Sequence, residues 1–280
     1  MTGRIDVPGG RLYAIDAGDP ADSPVVLLHA GIVDLRSWDD LTPLLVEAGY
    51  RVIRFDARGH GRTATEDVEF SHRADVVAVL DAFAIRRAAL VGNSRGGVIA
   101  FDTAIESPDR VVAAVGVAAG LSGFDGGSTP EETALFERMD ALETAFDADP
   151  TGGGAELVEL DIEVWLDGPG QPPDRVPQAI REAVRDMDGS HYAPGRIHGR
   201  SVQLSPPAIE RLTELRCPVL AIAGALDVWE VSGTAHHLEA NAPNARAVIL
   251  PGVAHMIGME TPEPLARLII DFLAPLPRWG

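Results

Sequence analysis

The sequence contains no lysine, so all 23 of its basic side chains are arginines. Catalysis through a lysine Schiff base is therefore excluded. The chain has a single cysteine, Cys217, which cannot form a disulfide within the chain. Aromatic residues make up only 5% of the sequence, and no apolar run approaches the roughly 18 residues of a membrane-spanning helix. These shortages exclude a disulfide scaffold and give no sign of a transmembrane segment.

Acidic side chains are abundant. The 280 residues include 42 Asp or Glu, which gives a formal net charge of −19. Such a charge argues against nucleic acid and against anionic membrane surfaces as partners. The first ten residues contain no apolar stretch of signal-peptide length. We therefore predict a cytoplasmic protein, a monomer or homodimer, whose partner is a small-molecule substrate.

Short apolar runs alternate with helical stripes over most of the chain. The strands predicted from these runs span residues 11–17, 25–28, 51–55, 88–91, 111–117, 218–223 and 246–250. Alternation of strands and helices predicts an α/β fold with a mainly parallel sheet that is covered on both faces. In such sheets, ligands bind at the loops that follow the carboxyl ends of the strands.

The pattern changes after Gly120. Between residues 125 and 190 there are 17 acidic residues and only 4 arginines. Amphipathic stripes over 135–146 and 180–187 indicate helices, and Gly152-Gly153-Gly154 marks a break between them. We predict a mainly helical insert over residues 121–206, a lid or cap, within a core domain formed by residues 1–120 and 207–280. If its apolar stripes face the pocket, the substrate is small to medium and partly apolar.

A strand-like run and a helix-like run meet at Gly92-Asn93-Ser94-Arg95-Gly96, which matches the Gly-x-Ser-x-Gly nucleophile turn. A strand that leads directly into a helix must reverse within one or two residues. The glycines remove the Cβ atoms that would collide in that reversal. Ser94 is then left exposed at the tip, above the unpaired N–H groups of the helix start.

A serine hydroxyl needs a general base, and the base needs an orienting carboxylate. Asp227 and His255 each follow a predicted strand by a few residues, so the topology brings both to the same sheet edge as Ser94. The chain order Ser, Asp, His is the order that belongs to this turn. Asp125, which lies beyond the 111–117 strand, is the alternative acid, and the strand-to-loop spacing favours Asp227.

Five motifs together resemble the α/β-hydrolase superfamily over essentially the whole chain. They are the nucleophile turn, His29-Ala30-Gly31, Asp56-x-Arg58-Gly59-x-Gly61, Gly224-x-x-Asp227 and His255. The resemblance implies a mostly parallel, twisted, eight-stranded sheet with helices on both faces and a lid inserted after the sixth strand. It also implies that the protein needs no cofactor and no metal.

The same resemblance assigns roles to individual residues. Ser94 is the expected nucleophile, His255 the general base and later acid, and Asp227 the orienting acid. The oxyanion hole is expected to use the backbone N–H groups of Arg95 and Gly31, with Ile32 as the alternative second donor. Ile32 is also expected to contact the substrate, as is Trp229, which follows Asp227 by two residues.

The expected activity is that of a serine hydrolase cleaving a carboxylic ester or lactone through an acyl-enzyme. Alternatives with the same triad are a C–C bond hydrolase or enol-lactonase of aromatic catabolism, and a perhydrolase or acyltransferase. A non-enzymatic alternative is a ligand-binding module of the same fold. The dehalogenases and epoxide hydrolases of the superfamily attack with Asp, so a serine at position 94 argues against both.

Several polar residues have a structural and a functional interpretation. The Arg95 side chain either pairs with a carboxylate of the insert or grips an acidic substrate, for which a bidentate guanidinium is suited. His60 is expected to serve in packing and hydrogen bonding. His191 and His198 are expected to be solvated or to pack in the lid. His236-His237 is expected to lie on a helix surface, because nothing near it completes a metal site.

Overall fold

The computed structural model describes residues 2–152 and 154–280, so Met1 and the middle residue of the predicted glycine break, Gly153, lie outside the described residues. The fold is built on one large β-sheet. Its eight long strands are β1 (Thr2–Val7), β2 (Gly10–Ala17), β3 (Ser23–Leu28), β4 (Tyr50–Asp56), β5 (Ala88–Asn93), β6 (Val111–Val117), β7 (Val219–Gly224) and β8 (Ala245–Leu250). Their spatial order is β1-β2-β4-β3-β5-β6-β7-β8.

The sheet is mixed rather than simply parallel. Strands β3 to β8 pair in parallel, as predicted, whereas β2 pairs antiparallel with both β1 and β4. A two-residue strand, Ala64–Thr65, also pairs with β2, so the described residues form a sheet of the eight expected long strands and one short one. The hairpin between β1 and β2 turns at Gly9, whose φ of +69° suits a glycine.

Helices surround the sheet, and β3 and β5 are buried along their whole length. The helices that flank the strands are α1 (Leu41–Glu47), α2 (His72–Ala82), α3 (Arg95–Glu106), α7 (Trp229–Asn241), α8 (Ile257–Glu260) and α9 (Pro262–Leu273). Helix α1 packs on α9, α2 packs on α3, and α7 covers β7 and β8. No helix in the described ranges is long and apolar enough to cross a membrane.

The segment between β6 and β7 is mainly helical. It contains α4 (Pro130–Ala148), α5 (Ala155–Asp161), a π-helical stretch (Ile162–Asp167) and α6 (Gln178–His191). The apolar faces of α5, the π-helical stretch and α6 form a small core with residues of the loops that follow β3 and β8. Members of this core include Ala30, Val33, Ile162, Leu166, Val184, Met187 and Met256. The segment therefore lies over the carboxyl ends of the parallel strands.

Several polar contacts attach this segment to the rest of the fold, among them contacts of Glu132, Arg175 and Asp186. At the start of α4, Thr129 and Glu132 form a capping box, and the Glu132 carboxylate also accepts a 2.7 Å hydrogen bond from the N–H of Trp229 at the start of α7. Further along, Arg175 pairs with Glu260 and donates to the carbonyl oxygens of Leu166 and Asp167.

The loop after β4 depends on a buried ion pair. Arg58, from the Asp56-x-Arg58-Gly59-x-Gly61 motif, donates two hydrogen bonds of 2.7 and 2.9 Å to Asp75 of α2. Both side chains are at most 5% exposed. Removing one partner of such a pair leaves the other charge buried without compensation.

We expect Asp75→Asn to lower the free energy of unfolding by about 3–5 kcal/mol, because it leaves the Arg58 charge unpaired in the interior. The matched control is Asp67→Asn, which removes an exposed partner of Arg200 and should cost less than about 1 kcal/mol. Urea unfolding of the three proteins measures both values. Equal losses in the two variants would show that the Arg58–Asp75 pair does not stabilise the loop.

Candidate active site

The turn between β5 and α3 places Ser94 in an unusual backbone conformation. Its φ is +54° and its ψ is −120°, a region that costs a non-glycine residue about 1–3 kcal/mol. The turn is also tightly packed. A Cβ on Gly92 would lie 2.0 Å from the carbonyl oxygen of Gly96, and a Cβ on Gly96 would lie 2.2 Å from that of Leu28. Both glycines are therefore required for the reversal that exposes Ser94.

His255 and Asp227 form a hydrogen-bonded pair. Nδ1–H of His255 donates to both carboxylate oxygens of Asp227, at 2.8 and 3.0 Å. The Asp227 side chain is fully buried, and its Oδ1 also accepts a hydrogen bond of 2.8 Å from the N–H of Val228. Asp125, in contrast, accepts from the N–H of Gly127 within an exposed loop. Of the two candidate acids, the structure brings Asp227 to His255.

Ser94 and His255 line one cavity of about 280 Å³. In the part of the chain that the structure describes, they share this cavity without a direct hydrogen bond. The Ser94 side chain does not cap α3 either, so its hydroxyl is free to rotate toward the imidazole. Catalytic hydrogen bonds are often absent or long before substrate binds.

Asn93 holds the two halves of the site together, and sequence reasoning missed it. Its Nδ2 donates to the carbonyl oxygens of Val117, at 3.0 Å, and of His255, at 3.2 Å. The nucleophile turn is thereby attached directly to the loop that carries the histidine. The signal available in the sequence was a polar residue at the end of the otherwise apolar run of β5. The structure buries this side chain.

The remaining cavity wall comes from two regions. The loop after β3 contributes Ala30, Gly31 and Ile32, and the helical segment contributes Met139, Glu143, Asp161, Trp165, His191 and Tyr192. The N–H of Arg95 belongs to the first residue of α3 and has no partner within the helix. The two expected oxyanion donors, Arg95 and Gly31, therefore border the same cavity as Ser94.

Trp229 does not lie where the sequence predicted. It is 60% exposed at the first residue of α7 and is not among the residues that line the cavity. Trp165 lines the cavity instead, with its ring centroid 4.7 Å from that of His255. Trp165 lies in the π-helical stretch, a type of distortion that is frequent at functional sites. The periodicity of an α-helix could not predict the position of Trp165, because the helix changes from α to π at Ile162–Asp167.

Histidines from the core and from the helical segment meet beside the cavity. His60 packs edge-on against His29, with centroids 5.0 Å apart, and stacks on His191 at 4.2 Å, while His191 contacts His198 at 4.3 Å. Burial lowers the pKa of all four imidazoles. Despite this cluster, no group of side chains among residues 2–152 and 154–280 is arranged to hold a metal ion.

Carboxyl groups also border the cavity. Asp161 lines it, and the hydroxyl of Tyr192 donates to Asp161 at 3.2 Å. Asp188 is fully buried, and its carboxyl group lies beside that of Asp161, to which it can donate a hydrogen bond only when it is protonated. Burial, together with the neighbouring charge of Asp161, raises the pKa of Asp188 to about 9. The folded protein therefore holds a proton on Asp188 at neutral pH.

Because the pKa of Asp188 is higher in the folded than in the unfolded chain, its contribution to stability falls as the pH rises from about 4 to about 9. We expect Asp188→Asn to reduce this decline and to unfold at higher denaturant concentration than the wild type at pH 8. Chemical unfolding between pH 5 and 9 measures the effect, with exposed Asp174→Asn as the control. Parallel stability curves for wild type and Asp188→Asn would contradict it.

Comparison with known proteins gives consistent matches. Residues 25–268 match the sequence model of the Alpha/beta hydrolase family. The chain is 29% identical to rhodomycin D methylesterase DauP of Streptomyces sp. strain C5, over 92% of this chain and 93% of that protein. It is 27% identical to epoxide hydrolase B of Mycobacterium tuberculosis, over 97% and 98%.

Among solved structures, it resembles Est816, described as an N-acyl homoserine lactone degrading enzyme. The TM-score is 0.71 and the identity 26%, and the match covers 96% of this chain and 100% of that one.

Proposed function

Because the chain belongs to the alpha/beta hydrolase family, we propose that it is a serine hydrolase that cleaves a carboxylic ester or lactone through an acyl-enzyme on Ser94. One observation carries the proposal. Ser94, at a strained turn, borders the same cavity as His255, and the Nδ1–H of His255 is held by the buried carboxylate of Asp227. A nucleophile, a base and an orienting acid are the minimum set for acyl transfer.

In the proposed reaction, Oγ of Ser94 attacks the substrate carbonyl while Nε2 of His255 takes the hydroxyl proton. The tetrahedral oxyanion accepts hydrogen bonds from the N–H groups of Arg95 and Gly31, or of Ile32 in place of Gly31. Each donor is worth roughly 3–4 kcal/mol in comparable sites. The C–O bond then breaks, and His255 returns the proton to the departing alcohol. A water activated by His255 releases the acyl group and restores Ser94.

The relatives include both esterases and epoxide hydrolases, so the choice of acyl chemistry over epoxide opening depends on the residue at position 94. One is named as a methylesterase, and the solved structure of another is described as lactone-degrading. Esters and lactones are cleaved by the same addition and elimination at a carbonyl carbon. Epoxide hydrolases of this superfamily are expected to attack with an aspartate, and this chain has Ser94 at that position.

We further propose that residues 121–206 act as a lid over a core formed by residues 1–120 and 207–280. Met139 and Trp165 line the cavity from this segment, so they would contact the substrate close to the scissile bond. A cavity of about 280 Å³ is at the small end for ligand pockets and suits a small acyl group.

If Ser94 is the nucleophile, a fluorophosphonate probe should label the wild type and leave Ser94→Ala unlabelled, because the probe bonds only to an activated serine. Ser232→Ala is the matched control, since this exposed hydroxyl donates only to the carbonyl of Trp229 in its own helix. In-gel fluorescence and hydrolysis of a panel of p-nitrophenyl esters and lactones report the result. Equal labelling of Ser94→Ala would refute the assignment.

If Asp227 orients the base, Asp227→Asn should lower kcat by about 10³–10⁴-fold, since the amide cannot hold the Nδ1–H tautomer of His255. Asp125→Asn should leave kcat within about a factor of two, because its carboxylate serves only its own loop. Steady-state kinetics on one activated ester compares the two variants. A large loss in Asp125→Asn alone would reverse the assignment of the acid.

A further inference from the structure

The positive charge of Arg95 is not paired with a carboxylate of any described residue. Among the residues that the structure describes, its guanidinium has one hydrogen-bond partner, Nε2 of His60 at 2.9 Å, and it forms no ion pair. Its Nε is buried without a partner. The sequence left open whether Arg95 pairs with a carboxylate of the helical segment. Among the described residues, it forms no such pair. In a chain with 42 carboxylates and 23 arginines, the absence of a counter-charge here is not a shortage of acids.

The partner that Arg95 does have orients the guanidinium without neutralising it. Burial, reinforced by the charge of Arg95, lowers the pKa of His60 well below its ordinary value, so this imidazole is neutral and accepts the hydrogen bond through Nε2. His60 is itself fixed between the rings of His29 and His191. Burial lowers the pKa of Arg95 only to about 10, so its positive charge persists at neutral pH.

The position of this charge links it to the reaction centre. Arg95 directly follows Ser94 in the chain, and both residues border the cavity that contains His255. A substituent on the acyl group bound to Ser94 would therefore share this cavity with the guanidinium. Asp161 and Glu143 also line the cavity, and since like charges repel, Arg95 is the cavity-lining group that would attract a negatively charged substituent.

From these observations we propose that the Arg95 side chain binds a carboxylate on the acyl part of the substrate. The preferred substrate is then a half-ester of a short dicarboxylic acid, or a lactone that bears a carboxylate near the ring carbonyl. A guanidinium binds a carboxylate through two parallel charge-assisted hydrogen bonds, which adds orientation to affinity. This inference rests on the proposed function, because it places the carboxylate relative to an acyl group on Ser94.

The test compares two p-nitrophenyl esters of nearly equal size, mono-p-nitrophenyl glutarate and its neutral methyl ester. The wild type should have the higher kcat/KM for the anionic ester. Arg95→Gln should lower the ratio of the two kcat/KM values by about 10- to 100-fold. Arg95→Lys should restore part of this ratio, since it keeps the charge and loses the planar fork. Arg138→Gln, which removes an exposed arginine of α4, should leave the ratio unchanged.

The ratio is used because the N–H of Arg95 is also a proposed oxyanion donor, so absolute rates can fall for a second reason. A wild type that hydrolyses the neutral ester as well as or better than the anionic one would overturn the carboxylate site. That result needs no variant, so it stands even if Arg95→Gln does not fold. Glutarate should also inhibit hydrolysis of the neutral ester competitively in the wild type, and absence of inhibition at high concentration would count against the site.

Fluorophosphonate labelling separates this proposal from the one on which it depends. A wild type that is labelled at Ser94 but shows no preference for the anionic ester retains the serine hydrolase function and refutes the role of Arg95. A wild type that is neither labelled nor active on either ester refutes the serine hydrolase function itself.

Discussion

The contact between the nucleophile turn and the end of β3 is the constraint on which the rest of the site depends. Helix α3 starts so close to the sheet that Gly92, Gly96 and the carbonyl of Leu28 leave no room for a single additional carbon. This contact forces the positive φ of Ser94 and directs its hydroxyl out of the sheet edge. It also sets the position of the next residue, Arg95, which lines the same cavity. One packing contact therefore positions a proposed nucleophile, an oxyanion donor and a cation together.

Local signals in the sequence predicted those parts of the fold that local physics determines. The parallel strands were recognisable because β3, β5 and β7 are buried on both faces and consist largely of apolar residues. The serine turn and the loop of Asp227 were recognisable because each follows such a strand, and the loop of His255 because it follows the partly buried apolar run of β8. The hairpin of β1 and β2 was only half predicted, since β1 has few apolar residues and one of its faces is exposed.

Contacts between distant parts of the chain were beyond prediction. The stacking of His60 on His191 and the packing of Trp165 on His255 depend on how the helical segment folds back over the sheet. The hydrophobic periodicity of this segment predicts that it forms helices, but it does not predict how these helices pack relative to one another. Trp229 was misplaced for a related reason. Two residues of separation from Asp227 put it at the start of α7, where the side chain lies outside the cavity.

The helical segment is attached to the core by specific polar and aromatic contacts. Glu132 bonds the start of α7, Arg175 pairs with Glu260, and His191 covers His60. The segment supplies six of the twelve residues that line the cavity but none of the three groups proposed for acyl transfer. The proposed chemistry therefore depends on the core, whereas the shape of the cavity depends on both parts of the chain.

The crowding around Gly92 and Gly96 also has a consequence for protein engineering. In a mutagenesis library that varies the turn, most variants would be unable to form the turn, because no side chain fits at either glycine. Glu143 differs, because it is an exposed residue of α4 that also lines the cavity. Laboratory evolution toward a new substrate therefore has more freedom at this position than at either glycine of the turn.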